Sequence, residues 1–178
     1  MTHKIFINAG HCGTDPGAIS KKGTKEADIT KKVSSLLACH LIQKGFNIEF
    51  FQQKNSFTEV SQAENDSNSN LFISIHCNAA ASDKANGVEV LYYPTSTRGL
   101  RCAQIVQNEL VEATTLKDRG IKARNDLHVL RKTKATAILV ELAFISNPEE
   151  EKLLLEKPEI FADSIYNGIK KIIAENVL

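Results

Sequence analysis

No stretch of this sequence stays apolar for the roughly 20 residues that a membrane-spanning helix needs, and no block of like charge is present. Its 22 Lys and Arg are interspersed with 21 Asp and Glu, for a formal net charge of +1. There is accordingly no basic tract to hold nucleic-acid phosphates. The cysteines Cys12, Cys39, Cys77 and Cys102 form no C-x-x-C pair. Their wide spacing in a domain of this size points to free thiols rather than to a disulfide framework. Internal repeats, low-complexity tracts and linkers are absent. So is a dinucleotide fingerprint: "GHCGTDPG" is not G-x-G-x-x-G, and no ribose-binding acid follows the next strand candidate. The opening "MTHKIFINAG" lacks the charged, apolar and small-residue regions of a secretory signal.

What remains is a chain of 178 residues, 42% hydrophobic and 24% charged, the composition of one globular domain with a core large enough to need no staples. Strand-like and helix-like segments alternate. "KIFINAG" is a short apolar run ending in turn residues, as a buried strand does. Ala27 to Lys44 carries Ile29, Val33, Leu36, Leu37 and Leu41 at helical spacing and is closed by Gly45. "NIEFFQ" is the next strand candidate, followed by a short polar helix with Val60 and Ala63, then by "NLFISIHCN", the clearest strand in the chain. "GVEVLYYP" is a further strand, and residues 98–113 form a helix through Leu100, Ala103, Ile105, Val106 and Leu110. "HVLR" is a short apolar piece, "AILVELAFISN" reads as a fully buried central strand, and Ile160 to Ile173 make an amphipathic helix. The expectation is a single layered α/β domain over 1–178, with a mostly parallel (mixed) central sheet and helices on both faces. The segment between Gly87 and Tyr93 is the expected departure, an edge or antiparallel strand.

In open α/β sheets, ligands bind outside the carboxyl ends of the strands. Four residues are delivered to that edge. His11 lies just past the first strand, in a turn rich in Gly10, Gly13, Asp15, Pro16 and Gly17. Glu26 starts the first helix, His76 ends "NLFISIH", and Glu141 lies late in "AILVELAF". Two imidazoles and one carboxylate make a three-ligand zinc site with an open fourth position, a site that acidifies water and polarises carbonyls. A further carboxylate can act as general base and later protonate a leaving nitrogen.

Each residue also has a plainer explanation. His11 could fill a polar turn, Glu26 could favour a helix dipole, and His76 could be a satisfied core histidine. Glu141 is harder to explain away. A carboxylate among Ile138, Leu139, Val140, Leu142 and Phe144 is expensive without compensation, and its alternative is a buried salt bridge with Arg131 or Lys134. His3 stands near a terminus, and His40 is placed on the polar side or a packing edge of the first helix. His128 in "DLHVLR" lies within reach of the site with nothing to fix its role. Cys12 and Cys77 each follow a ligand candidate, but a strand neighbour points the other way.

At these residues the chain resembles the zinc-dependent N-acetylmuramoyl-L-alanine amidases with an AmiC-like catalytic domain. "INAGHCGTDPGA", "KGTKEADIT", "NLFISIHCNA", "GVEVLYY" and "DRGIKARNDLHVLRKTKATAILVELAFISNPEEEKLL" match that family's elements in order, the V-E-x-x-F-x-S-N element most specifically. The resemblance implies that His11, Glu26 and His76 hold one zinc ion and that Glu141 is the catalytic base. The bond cut would be the amide between the lactyl group of N-acetylmuramic acid and L-alanine of peptidoglycan. Substrate-binding residues are not specified. There are departures: Cys12 replaces a usual second glycine, Thr136 replaces a usual proline, and "TEVSQAENDSNSN" lacks a common arginine. Neither an inhibitory helix nor a wall-binding module finds room, so a bare, monomeric catalytic domain is expected. It would be made in the cytoplasm and act on the wall after release or lysis, unless a signal has been removed. A non-catalytic wall-binding module is the competing reading. A zinc peptidase acting on the stem peptide is another, although no H-E-x-x-H or short H-x-x-E element is present.

Overall fold

Strands buried on both faces show little hydrophobic alternation, yet their side chains still alternate between two layers. The computed structural model describes residues 3–12, 14–53 and 56–178. The strands are β1 (Lys4–Ala9), β2 (Asn47–Gln52), β3 (Leu71–Asn78), β4 (Val88–Tyr92), β5 (Asp118–Ala123) and β6 (Thr136–Phe144). The helices are α1 (Glu26–Gln43), α2 (Phe57–Ser67), α3 (Thr97–Thr114), α4 (His128–Lys132), α5 (Pro148–Glu156) and α6 (Pro158–Ala174). Ile5, Ile7, Ile73, Ile75, Ile138 and Val140 face one layer, which packs on α1, α3, α5 and α6. Phe6, Phe72 and Leu139 face the other, where Val60 of α2 and Val129 and Leu130 of α4 cover them. Among the described residues no helix is long and apolar enough to cross a membrane.

The sheet has six strands in the order β2-β1-β3-β6-β4-β5. β1, β2, β3 and β6 run parallel, β4 runs antiparallel to β6, and β5 is parallel to β4. The expected antiparallel strand is therefore β4, but it is interior, because β5 lies outside it. From β1 the chain moves out to β2 and then returns across to β3. The carboxyl ends of β1 and β3 thus form the topological switch point where such sheets open a crevice.

Local chemistry explains the boundaries. α1 has Glu26 and Asp28 in its first turn, where the helix dipole favours negative charge, and it ends before Gly45, whose φ of 78° suits glycine. α5 begins at Asn147, whose side chain accepts the Glu149 and Glu150 amides, and Pro148 follows at its first position. Three elements are not assigned from the sequence. "HVLR" belongs to the short helix α4, "DRGIKA" forms the edge strand β5, and "PEEEKLLLE" is a helix of its own before α6.

α3 and α6 meet closely at Gly168. A Cβ there would stand 2.8 Å from Val106 Cγ2 and 3.2 Å from Val106 Cα. In an open helix Gly→Ala gains about 1 kcal/mol, but overpacking against a branched side chain and backbone costs about 1–3 kcal/mol. Gly168→Ala is expected to lower the urea midpoint. A raised midpoint would show that this contact has slack.

Candidate metal centre and active site

β1 ends at Ala9, and Gly10 hands the chain to His11, which adopts a left-handed φ of 62°. For a residue with a Cβ this is strained backbone, of the kind that persists only when the surroundings enforce it. They do so here. Cys12 and Asp15 exchange two backbone hydrogen bonds across the turn, and the Thr30 hydroxyl of α1 donates to the Gly10 carbonyl. Asp15 Oδ2 holds His11 Nδ1 at 2.9 Å, which turns Nε2 towards Glu26 Oε1 at 3.3 Å. Gly13, assigned by sequence to this turn, lies outside the described residues.

Glu26 is only 4% exposed. Its Oε1 accepts the Cys77 amide at 3.0 Å and lies 3.1 Å from His76 Nδ1, while Oε2 accepts the Ala18 amide at 2.9 Å. The loop between His11 and Glu26 is anchored from α5, where Glu151 accepts the hydroxyls of Ser20 and Thr24 at 2.6 Å each. His76 leaves β3 beside the His11 ring, with centroids 5.0 Å apart at 82°. Single ligand atoms from His11, Glu26 and His76 all lie within 4.8 Å of one another. Two glycines make this convergence possible. A Cβ on Gly10 would sit 2.4 Å from His76 Cε1, and one on Gly17 would sit 2.6 Å from Glu26 Oε2 and 2.7 Å from His11 Cδ2.

The electrostatics are those of a centre built for positive charge. Burial opposes the protonated His11 ring, yet the Glu26 and Asp15 carboxylates outweigh it and lift its pKa to about 9. Burial alone would raise Glu26, but hydrogen bonds from His11 and His76 hold it well below the usual carboxylate range. A borderline-soft divalent cation suits this set of two imidazoles and one carboxylate, and Asp15 stands behind His11 where the outer partner of a metal-held ring would stand.

Glu141 stands beside His76 in the β3–β6 register and opposite Glu89 in the β6–β4 register. Among the described residues its Oε2 is buried with no hydrogen-bond partner. Burial pushes its pKa up to about 7; the His76 charge opposes this, while those of Glu26 and Glu89 add to it. Among the described residues neither Arg131 nor Lys134 forms an ion pair with it, so the salt-bridge alternative is not what the structure shows. Glu89 is pinned by Asn78 at 2.7 Å and by Arg119 at 2.8 Å.

All four residues expected from sequence therefore meet at one crevice. His11, His76 and Glu141 line a pocket of about 270 Å³, whose other wall is Phe57 of α2 with Leu127, His128 and Val129 at α4. A larger open groove of about 580 Å³ between β2 and α2, lined by Phe51, Glu59 and Asp66, contains none of these groups. Cys77 faces the opposite layer, buried, its thiol pushed up by that burial and by the nearby carboxylates. His40 is half-buried and pairs with Asp163. Sequence reasoning missed the orienting role of Asp15, for which its i, i+4 spacing from His11 was the available signal. It also missed Phe57, whose place in the pocket depends on how α2 docks.

The sequence profile of the N-acetylmuramoyl-L-alanine amidase family matches residues 5–171. The chain belongs to this family. It is 32% identical over 170 residues to the "Probable cell wall amidase LytH" of Staphylococcus aureus; the alignment takes in 93% of this chain and 57% of that longer relative. The solved N-acetylmuramoyl-L-alanine amidase from Clostridium difficile 630 superposes with a TM-score of 0.89 at 30% identity, covering 97% of each chain. The CwlD amidase of Clostridioides difficile, solved in complex with the GerS lipoprotein, superposes with a TM-score of 0.91 at 27% identity, over 97% of this chain and 99% of that one. The amidase fold thus accounts for the layered sheet.

Gly10→Ala is expected to fold while displacing the His76 ring. Its affinity for zinc, read by competition with a chromogenic chelator, should fall about tenfold or more, the scale of disturbing a ligand's support. Unchanged affinity would show that the ring can move without loss.

Proposed function

We propose that this chain is a zinc-dependent amidase that hydrolyses the amide between the lactyl group of N-acetylmuramic acid and L-alanine in peptidoglycan. The observation that carries the reading is the convergence of His11, Glu26 and His76 with Glu141 on the adjacent strand, whose Oε2 is buried and has no hydrogen-bond partner among the described residues. His11, Glu26 and His76 would hold one zinc ion per chain, which supplies Lewis acidity to the amide carbonyl and acidity to a water. Glu141 is the proton carrier. Its carboxylate takes a proton from the attacking water and returns it to the departing alanine nitrogen, and a pKa raised by burial brings both of its forms within reach near neutral pH. Asp15 keeps the His11 tautomer fixed, and Glu151 keeps the loop that presents Glu26 in place. In this reading the chain works as a monomer on the cell wall, reaching it by release or lysis.

Two measurements test the reading. Purified peptidoglycan treated with the protein should release peptides with an N-terminal L-alanine, seen by mass spectrometry, and a zinc chelator should abolish them. Cuts within the stem peptide would indicate a peptidase, and protein retained on sacculi without products would indicate a binding module. Separately, Glu141→Gln should keep its zinc by elemental analysis and lose activity by about 10²–10⁴-fold, the usual contribution of a general acid–base group. Near-wild-type turnover would remove Glu141 from the mechanism.

A further inference from the structure

The pocket wall facing the triad includes a histidine, His128, for which the reaction above has no use. α2 and α4 meet at a short relay. The Ser61 hydroxyl donates to the Thr58 carbonyl at 3.1 Å and lies 3.2 Å from His128 Nε2. A hydroxyl has a single hydrogen. With that hydrogen on the Thr58 carbonyl, Nε2–H is the donor in the second contact. In its neutral form the His128 ring then carries its hydrogen on Nε2, leaving Nδ1 a bare acceptor. Among the described residues no donor bonds Nδ1, and the ring lines the same pocket as Glu141.

The surroundings of that acceptor narrow what it meets. Phe57, 50% exposed, lies in the same wall with Leu127 and Val129. Asp126 is engaged by Arg124, through both carboxylate oxygens at 2.8 and 2.7 Å. A sugar ring presents hydroxyls all round and needs several convergent polar partners, which this wall does not supply. A short peptide, with a small apolar side chain and a backbone N–H, needs an apolar surface and one acceptor. The pocket volume of about 270 Å³, at about 30 Å³ per water, has room for on the order of nine waters, enough for one or two small residues.

We infer that His128 is a substrate-binding residue that holds the peptide side of the scissile amide, its Nδ1 accepting a backbone N–H of the stem peptide while Phe57 supplies the apolar wall. The inference rests on the amidase reading and adds to it which half of the substrate this pocket takes.

The test uses the zinc-loaded protein and soluble N-acetylmuramoyl-L-alanyl-D-isoglutamine. His128→Ala should raise KM about threefold to tenfold, the scale of one lost hydrogen bond, with kcat and zinc content unchanged. The conservative variants separate binding from support. In His128→Asn the amide oxygen stands near the place of Nδ1, so KM should recover. In His128→Gln the amide stands near the place of Nε2, so the Ser61 contact survives and KM should stay high. The reverse pattern, with Gln recovering and Asn not, would reduce His128 to a strut between α2 and α4 and overturn the inference, as would equal KM values in all three variants. The same substitutions placed on Glu141→Gln and titrated calorimetrically with the same compound read binding without turnover. If the wild type releases no alanine-terminated peptide but binding follows the expected order, the amidase reading fails and the peptide subsite stands. Competition by free N-acetylmuramic acid that weakens on His128→Ala would seat the sugar here and overturn the subsite.

Discussion

The buried carboxylate of Glu26 is the group around which this edge of the protein is organised. It accepts backbone amides from two separate segments, Ala18 in the loop before α1 and Cys77 in β3, and it stands between the two imidazoles. Isolated negative charge in such a place is costly. Two oriented amides and two rings offset that cost, and they also set the distances. Because Glu26 is the first residue of α1, the helix dipole points at the same charge. Fixing one side chain thus fixes β1's exit, the start of α1 and the end of β3 relative to one another.

The rest of the edge accommodates that arrangement at the expense of backbone freedom. His11 is held at positive φ, and Gly10 and Gly17 leave no room for a methyl group. Turns of this type contribute little stability of their own. Enforcement comes from the layers behind: Thr30 on α1 and Glu151 on α5 bind the two ends of the loop from inside the packed face.

Most of this was readable in the residues because the elements concerned are long or chemically marked. β3 and β6 are apolar runs, α1 has its period and its closing glycine, and Glu141 is a charge where none belongs. The family motifs run through the same stretches. What the sequence concealed depends on tertiary placement. β5 contains Asp118, Arg119, Gly120 and Lys122, a strand by pairing with β4 rather than by propensity. α4 has only five residues, too few for a period to register, and it exists because it docks on α2 and the sheet. Its contact with α2, Ser61 Oγ to His128 Nε2 at 3.2 Å, is also something no local pattern encodes. Likewise Glu64, buried at 1% exposure, caps the amides of Lys134 and Ala135 from across the layer, a long-range pairing with no signature in either segment.

The two helical layers are unequal. The triad is tied to the thick one, built on α1, α3, α5 and α6, while the wall opposite it belongs to the thin one, α2 and the single short turn of α4. Local opening free energies follow buried apolar contact, so of the two layers the thin one costs less to open and tolerates side-chain changes more freely. Pocket shape and the geometry of the His11, Glu26 and His76 cluster are therefore separable properties of this molecule: side chains on α2 and α4 can change while the cluster behind them stays in register.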